Sequence, residues 1–186
     1  MGKSEILDIG LDMDGVIVNF LDPVCKWLGV KQTDMTSYKL EDMYPDDPDK
    51  VAQIRNYYSQ KGYFKNLKPF PGALEFIKKL QKLENSRIWY VSKPAIFSPI
   101  TWADKVEWIL NHTPKLIKTT ILTGDKCRSA VDILVDDDPD NLTTSIAKYK
   151  ILFDQPWNHD DTTFNRVKNY EELYSKIVKI SKKEKK

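Results

Sequence analysis

Asp12 and Asp14 close the apolar run at residues 6–11 and lead directly into Gly15-Val16. Two carboxylates at i and i+2, where a buried strand opens into a loop, suit phosphoryl transfer. One attacks phosphorus, the other manages a proton, and a metal ion reconciles their charges. The plain alternative is an acidic turn, since Asp and Gly are ordinary turn residues. A second acidic cluster, Asp136-Asp137-Asp138, ends another apolar strand, and Ser92 and Lys126 end segments between the two clusters. So many carboxylates cannot all ionise side by side without a cation, because repulsion raises at least one pKa. An oxygen-rich set of this kind suits Mg²⁺, which is held by few carboxylates and keeps several waters. An EF-hand calcium loop is excluded: Gly15 comes too early, and the later oxygen ligands and terminal Glu are missing.

Lys126 carries a fixed charge that could hold a phosphate and offset charge building on its oxygens. Ser92 could donate to the same phosphate, and Lys93 could assist. Read singly, each has a bland counterpart: a surface lysine, a turn before Pro94, a side chain facing water. Asp137 and Asp138 are expected to divide labour, one bonding the metal's waters and Asp138 capping a helix that Pro139 begins. The lone His112 and His159 lack ligand spacing and read as structural or surface residues. Tyr38, Tyr57, Tyr58, Tyr63 and Phe64 either pack among themselves or stack on a planar ligand.

The elements that must position these residues alternate between strand and helix. Residues 6–11, 87–91, 119–122, 133–135 and 149–153 read as strands. Residues 73–83 carry apolar side chains at helical spacing after the Pro71-Gly72 turn, and 102–110, 139–147 and 170–180 read as further helices. Strands alternating with helices imply a parallel sheet covered on both faces. The ends of such strands open onto one crevice, and Asp12, Asp14, Ser92 and Asp136 all follow strands. The predicted class is therefore α/β, a Rossmann-like parallel sheet flanked by helices. Residues 20–68 break the alternation, with helices at 21–28 and 50–60, and are expected to form a small, mainly helical cap inserted after the first strand. The core is then 1–19 and 69–186.

With 186 residues, 41% of them hydrophobic and 30% charged, the chain fits a globular domain with a small insertion. A formal net charge of +2 gives no argument for nucleic-acid binding. No apolar run is long enough to cross a bilayer, and no secretion signal is expected at the N-terminus. Cys25 and Cys127 are far apart and read as packing residues in a reducing, cytoplasmic setting. The Lys-rich stretch 182–186 reads as a solvated, frayed tail, and a homodimer is left open.

The order DMDGV (12–16), VSKP (91–94), GDK (124–126) and DILVDDDPDN (132–141) resembles the four motifs of the haloacid dehalogenase-like phosphatases. The closer resemblance is to the 5′(3′)-deoxyribonucleotidases. It is carried by Asn19-Phe20, Tyr63-Phe64 and residues 67–73, with 105–108 and 153–158 in support. The resemblance implies Mg²⁺-dependent hydrolysis of deoxyribonucleoside monophosphates through a phospho-Asp12 intermediate, with Asp14 as acid and then base. It implies that Asp12, the Asp14 backbone carbonyl and Asp136 hold Mg²⁺ with Asp137 behind them, and that Ser92 and Lys126 bind phosphate. Phe20, Tyr38, Tyr58 and Lys105 would fall near a nucleoside pocket. Two departures stand out. Animal relatives have Arg where Gly124 stands and a small hydroxyl residue where Lys93 stands, so Lys93 is expected to supply the missing cation.

Overall fold

A computed structural model describes residues 6–184. Its centre is a six-stranded, wholly parallel sheet in the order β3-β2-β1-β4-β5-β6. The strands are β1 (Leu7–Leu11), β2 (Ser86–Ser92), β3 (Thr120–Leu122), β4 (Ile133–Asp136), β5 (Tyr149–Phe153) and β6 (Asn165–Val167). The helices are α1 (Leu21–Leu28), α2 (Pro48–Tyr58), α3 (Ala73–Leu80), α4 (Pro99–His112), α5 (Pro139–Thr144) and α6 (Tyr170–Glu184).

Alternation along the strands explains why the sheet is buried on both sides. Ile133, Val135, Ile151 and Phe153 pack into one cluster with α3, α4 and α6, through Phe76, Ile77, Trp108, Ile109, Leu173 and Ile177. Leu134 and Leu152 point the other way, to Val91, Val131, Leu142 and Ala147. Successive Cβ atoms on a strand face opposite sides, so continuous apolar runs are what such a sheet requires.

The segment between Phe20 and Lys68 has apolar packing of its own: Leu21, Val24, Cys25, Met35, Leu40 and Ile54 cluster together. Its two ends meet. Asn19 N–H donates to the Lys68 carbonyl (3.3 Å), Phe70 N–H donates to the Ile17 carbonyl (2.8 Å), and Val18 and Pro69 form an antiparallel bridge.

Some boundaries differ from expectation for physical reasons. β6 has no apolar run, since only Val167 of its three residues is buried, and it exists by pairing with β5. α5 stops at Thr144, where Ser145 turns extended. α4 starts at Pro99, which suits a first helical turn. Lys182, Lys183 and Glu184, expected to fray, belong to α6, and Glu184 accepts from Lys148 at 2.7 Å and Tyr149 at 2.5 Å. Lys185, Lys186 and residues 1–5 lie outside the described residues. No described helix is long and apolar enough to cross a membrane.

One polar knot fixes the register of β1 against β2. Asp8 takes Arg87 Nε and Nη2 at 2.7 and 2.8 Å and Trp89 Nε1 at 2.7 Å. The Arg87 hydrogen bonds hold its carboxyl below the ordinary value of 3.8, with burial working in the opposite direction. A depressed folded-state pKa contributes stability above the unfolded value and loses it as pH falls. Asp8→Asn is expected to lower stability by about 1 kcal/mol at pH 7, the scale of a partly exposed bidentate pair. In urea melts, the gap from wild type should close as the pH falls below the ordinary carboxylate range.

Candidate active site

The crevice at the carboxyl ends of β1 and β4 is shaped by a tight loop. Asp12 N–H continues the sheet by donating to the Val135 carbonyl (2.9 Å), and its Oδ1 accepts the Met13 N–H at 2.7 Å. The Met13 carbonyl then takes both Ile17 and Val18 N–H at 2.8 Å, turning the chain back on itself. Gly15 sits in that turn with φ +73°, a conformation that favours glycine. A Cβ there would lie 2.3 Å from Asp137 Oδ2, so the missing side chain is what admits that carboxylate.

Lys126, from the turn between β3 and β4, reaches the middle of the acids. Its Nζ lies 2.7 Å from Asp12 Oδ2 and 2.8 Å from Asp136 Oδ2, and the residue is 3% exposed. Burial opposes the ammonium charge, but Asp12 and Asp136 outweigh it, so the Lys126 pKa lies above its ordinary value. Asp136 spends its other oxygen on Asp138 N–H (3.0 Å) and Asn141 Nδ2 (3.1 Å). Burial raises its pKa, with Lys126 opposing and Asp12 adding. Burial also pushes Asp137 well up, reinforced by Asp136 and Asp12. Asp137 is held by Trp157 Nε1 at 3.0 Å and, through its carbonyl, by Asn158 Nδ2 at 2.8 Å.

Oxygens of Asp12, Asp136 and Asp137 all lie within 4.8 Å of one another. Three carboxylates around one ammonium leave an excess of negative charge on a donor set made only of hard oxygens. That chemistry fits a small divalent cation such as Mg²⁺. Asp14, expected to offer a metal its backbone carbonyl and to keep its carboxylate for proton transfer, has that carboxylate apart from the three acids. It turns to Lys105, with Nζ 2.5 Å from Oδ2, while the buried Oδ1 has no partner among the described residues. Burial raises the Asp14 pKa; Lys105 opposes this and Asp12 reinforces it.

Lys105 is the main surprise. The resemblance put it near a nucleoside pocket, yet it is 1% exposed beneath the site, bonded to Asp14 and to Ser92 Oγ at 3.2 Å. Its position on α4 points it at the strand ends, so it braces Asp14 and Ser92 and does not line the open space.

That space is a cavity of about 320 Å³. Asp12, Asp14, Lys126, Asp137 and Asp138 form its floor, and Phe20, Tyr38, Tyr58 and Phe64 its aromatic wall, with Lys93 on its edge. Ser92 and Asp136, both fully buried, are not in the wall, whereas Asp137, expected behind the site, is. Asp138 caps α5 by accepting from Asp140 N–H at 2.9 Å. Residues that sequence reasoning did not single out include Asn141, Trp157 and Asn158, which orient the acids, and Glu41, Arg55 and Phe97 in the wall. The first three stood inside motifs already noted, but their type alone gave no signal of a role.

Residues 5–183 match the family described as 5′ nucleotidase, deoxy (Pyrimidine), cytosolic type C protein. The chain is 31% identical over 175 residues to the 5′(3′)-deoxyribonucleotidase of Bacillus subtilis, covering 91% of this chain and 98% of that one. In fold it is similar to a haloacid dehalogenase-like family hydrolase from Streptococcus pneumoniae, with TM-score 0.58 and 12% identity over 92% of this chain and 98% of that one. A second such fold, a HAD-type chain of Bacillus subtilis bound to magnesium, gives TM-score 0.55 and 10% identity over 93% and 99% of the two chains.

Removing the central ammonium should leave buried carboxylates without compensation. Lys126→Met is expected to cost about 3–5 kcal/mol in chelator at neutral pH, the scale for breaking a buried pair. Added Mg²⁺ should recover part of that loss in a urea melt. An unchanged midpoint in chelator would remove Lys126 from its compensating role.

Proposed function

The chain belongs to the deoxyribonucleotidase family just described, and on that premise we propose that it is a Mg²⁺-dependent phosphatase of deoxyribonucleoside 5′- or 3′-monophosphates. It is a phosphoric monoester hydrolase with a HAD-like core. The observation that carries the finer reading is the convergence of Asp12, Asp14 and Lys126 on one cavity floor beneath an aromatic wall. Residues 20–68 are proposed as the cap that supplies most of that wall.

In this reading Asp12 attacks phosphorus from its cavity-facing carboxylate while Lys126 and the Met13 N–H hold its two oxygens. The bond from phosphorus to the ester oxygen breaks, and Asp14 gives that oxygen its proton. Burial raises the Asp14 pKa, the direction that favours a proton donor, and Lys105 fixes the group's orientation. A water then attacks the aspartyl-phosphate and passes its proton to Asp14, releasing phosphate and restoring Asp12. Lys126 and Ser92 are proposed to steady the phosphate oxygens, and Lys93 to add charge at the cavity edge. Asp12, Asp136 and Asp137, with the Asp14 carbonyl, would hold Mg²⁺, which when bound neutralises charge on the transferring group. The unpaired Cys25 and Cys127 support a reducing, cytoplasmic setting.

Asp12→Asn is expected to abolish phosphate release while leaving the thermal melt close to wild type. Near-normal turnover in that variant would take the nucleophile role from Asp12. A panel of deoxynucleotides, ribonucleotides and sugar phosphates, with and without chelator, tests substrate and metal together. Preference for a non-nucleotide ester, or full activity in chelator, would overturn the respective claim.

A further inference from the structure

The wall of the cavity carries a polar pair that the chemistry at phosphorus does not use. Glu41 and Arg55 both line the space. Glu41 Oε1 accepts Tyr58 Oη at 2.9 Å and Arg55 Nε at 3.3 Å. Burial, with Glu41 beside it, pushes the Tyr58 phenol above its ordinary pKa, so it stays a donor. Glu41 Oε2 accepts from no described residue, and the terminal nitrogens of Arg55 donate to none. The Glu41 side chain is only 17% exposed, while that of Arg55 is 56% exposed. Around the pair are aromatic surfaces, with the rings of Tyr58 and Phe97 6.3 Å apart.

The floor of Asp12, Asp14 and Lys126 is taken by the chemistry at phosphorus, so the Glu41–Arg55 pair is left to the part of a substrate that carries no phosphate. Aromatic surfaces suit a flat ring, and the free oxygen of a carboxylate clamped by its other oxygen suits an N–H in the plane of that ring. We propose that Glu41 is the specificity residue for the nucleobase: its free oxygen accepts a ring N–H, and Arg55 donates to the neighbouring carbonyl. The proposal rests on the nucleotidase reading above. Tyr58 and Arg55 Nε already occupy Oε1, so only one oxygen remains and it matches a single ring N–H. A base presenting a ring nitrogen lone pair there would leave the carboxylate facing an acceptor, which is costly in a partly desolvated site.

The test measures kcat/KM, with Mg²⁺, for thymidine 5′-monophosphate, its N3-methyl analogue and 2-deoxyribose 5-phosphate. In wild type, N3-methylation is expected to lower kcat/KM on the order of 10- to 100-fold, the scale of one lost hydrogen bond to a charged group. In Glu41→Ala that penalty should shrink to about twofold, and the preference for thymidylate over the baseless ester should fall with it. The wild-type comparison needs no variant, so it stands even if Glu41→Ala folds poorly. No methylation penalty in wild type overturns the proposal, and so does a penalty that persists in Glu41→Ala. Faster turnover of deoxyadenylate or deoxycytidylate, whose bases have no ring N–H, than of thymidylate and deoxyguanylate also overturns it. If no nucleotide exceeds the baseless ester, the nucleotidase reading itself fails; preference for nucleotides without the Glu41 effect defeats this inference alone.

Discussion

The arrangement at the strand ends depends on one ammonium group being buried among carboxylates. Lys126 lies between Asp12 and Asp136 at 2.7 and 2.8 Å, with all three residues nearly inaccessible to water. Removing charges from water costs several kcal/mol per ion, and only close pairing offsets it. Here the pairing is incomplete, since Asp137 stands in the same cluster with no second lysine among the described residues bonded to it. The site is therefore held in a state of excess negative charge that a cation would relieve. Uncompensated acids of this kind weaken the fold and are kept where they are needed for chemistry.

Around that centre the fold supplies direction more than charge. Trp157, Asn158 and Asn141 each give a hydrogen bond to the acids of the β4 end, and Lys105 does the same for Asp14. Gln155 Nε2 donates to the Gly15 carbonyl at 2.6 Å, tying the segment after β5 to the turn after β1. The partners in these contacts are separated by 5 residues of sequence in the nearest case and 140 in the farthest. They place the carboxylates without adding to the negative charge, which is what a preorganised site requires.

Much of this was legible in the sequence because it follows from periodicity. Apolar runs ending in Asp12 and Asp136 marked two strands of a parallel sheet, which the structure pairs directly, and such a sheet brings its strand ends together whatever lies between. What escaped was whatever depends on pairing or on the direction of a single side chain. β6 is polar and exists through its partner strand. Lys105 could face the cavity or the floor according to the rotation of α4, and spacing along the chain does not decide this. Glu41 and Arg55 sit in the irregular stretch between Phe20 and Lys68, where no periodic pattern says which charged residue turns inward.

The two crossings into that stretch have a consequence for how the protein can change. Asn19 and Lys68 are hydrogen-bonded neighbours, and Val18 bridges Pro69, so the excursion leaves the sheet and returns at a single point. Closing a loop between ends already fixed together costs little more as the loop grows. Such a junction can accept a shorter, longer or unrelated excursion while the acids a few residues away stay where they are. If residues 20–68 serve as the proposed cap, selection of molecules and the reaction performed on them lie in separable parts of one polypeptide, free to diverge at different rates.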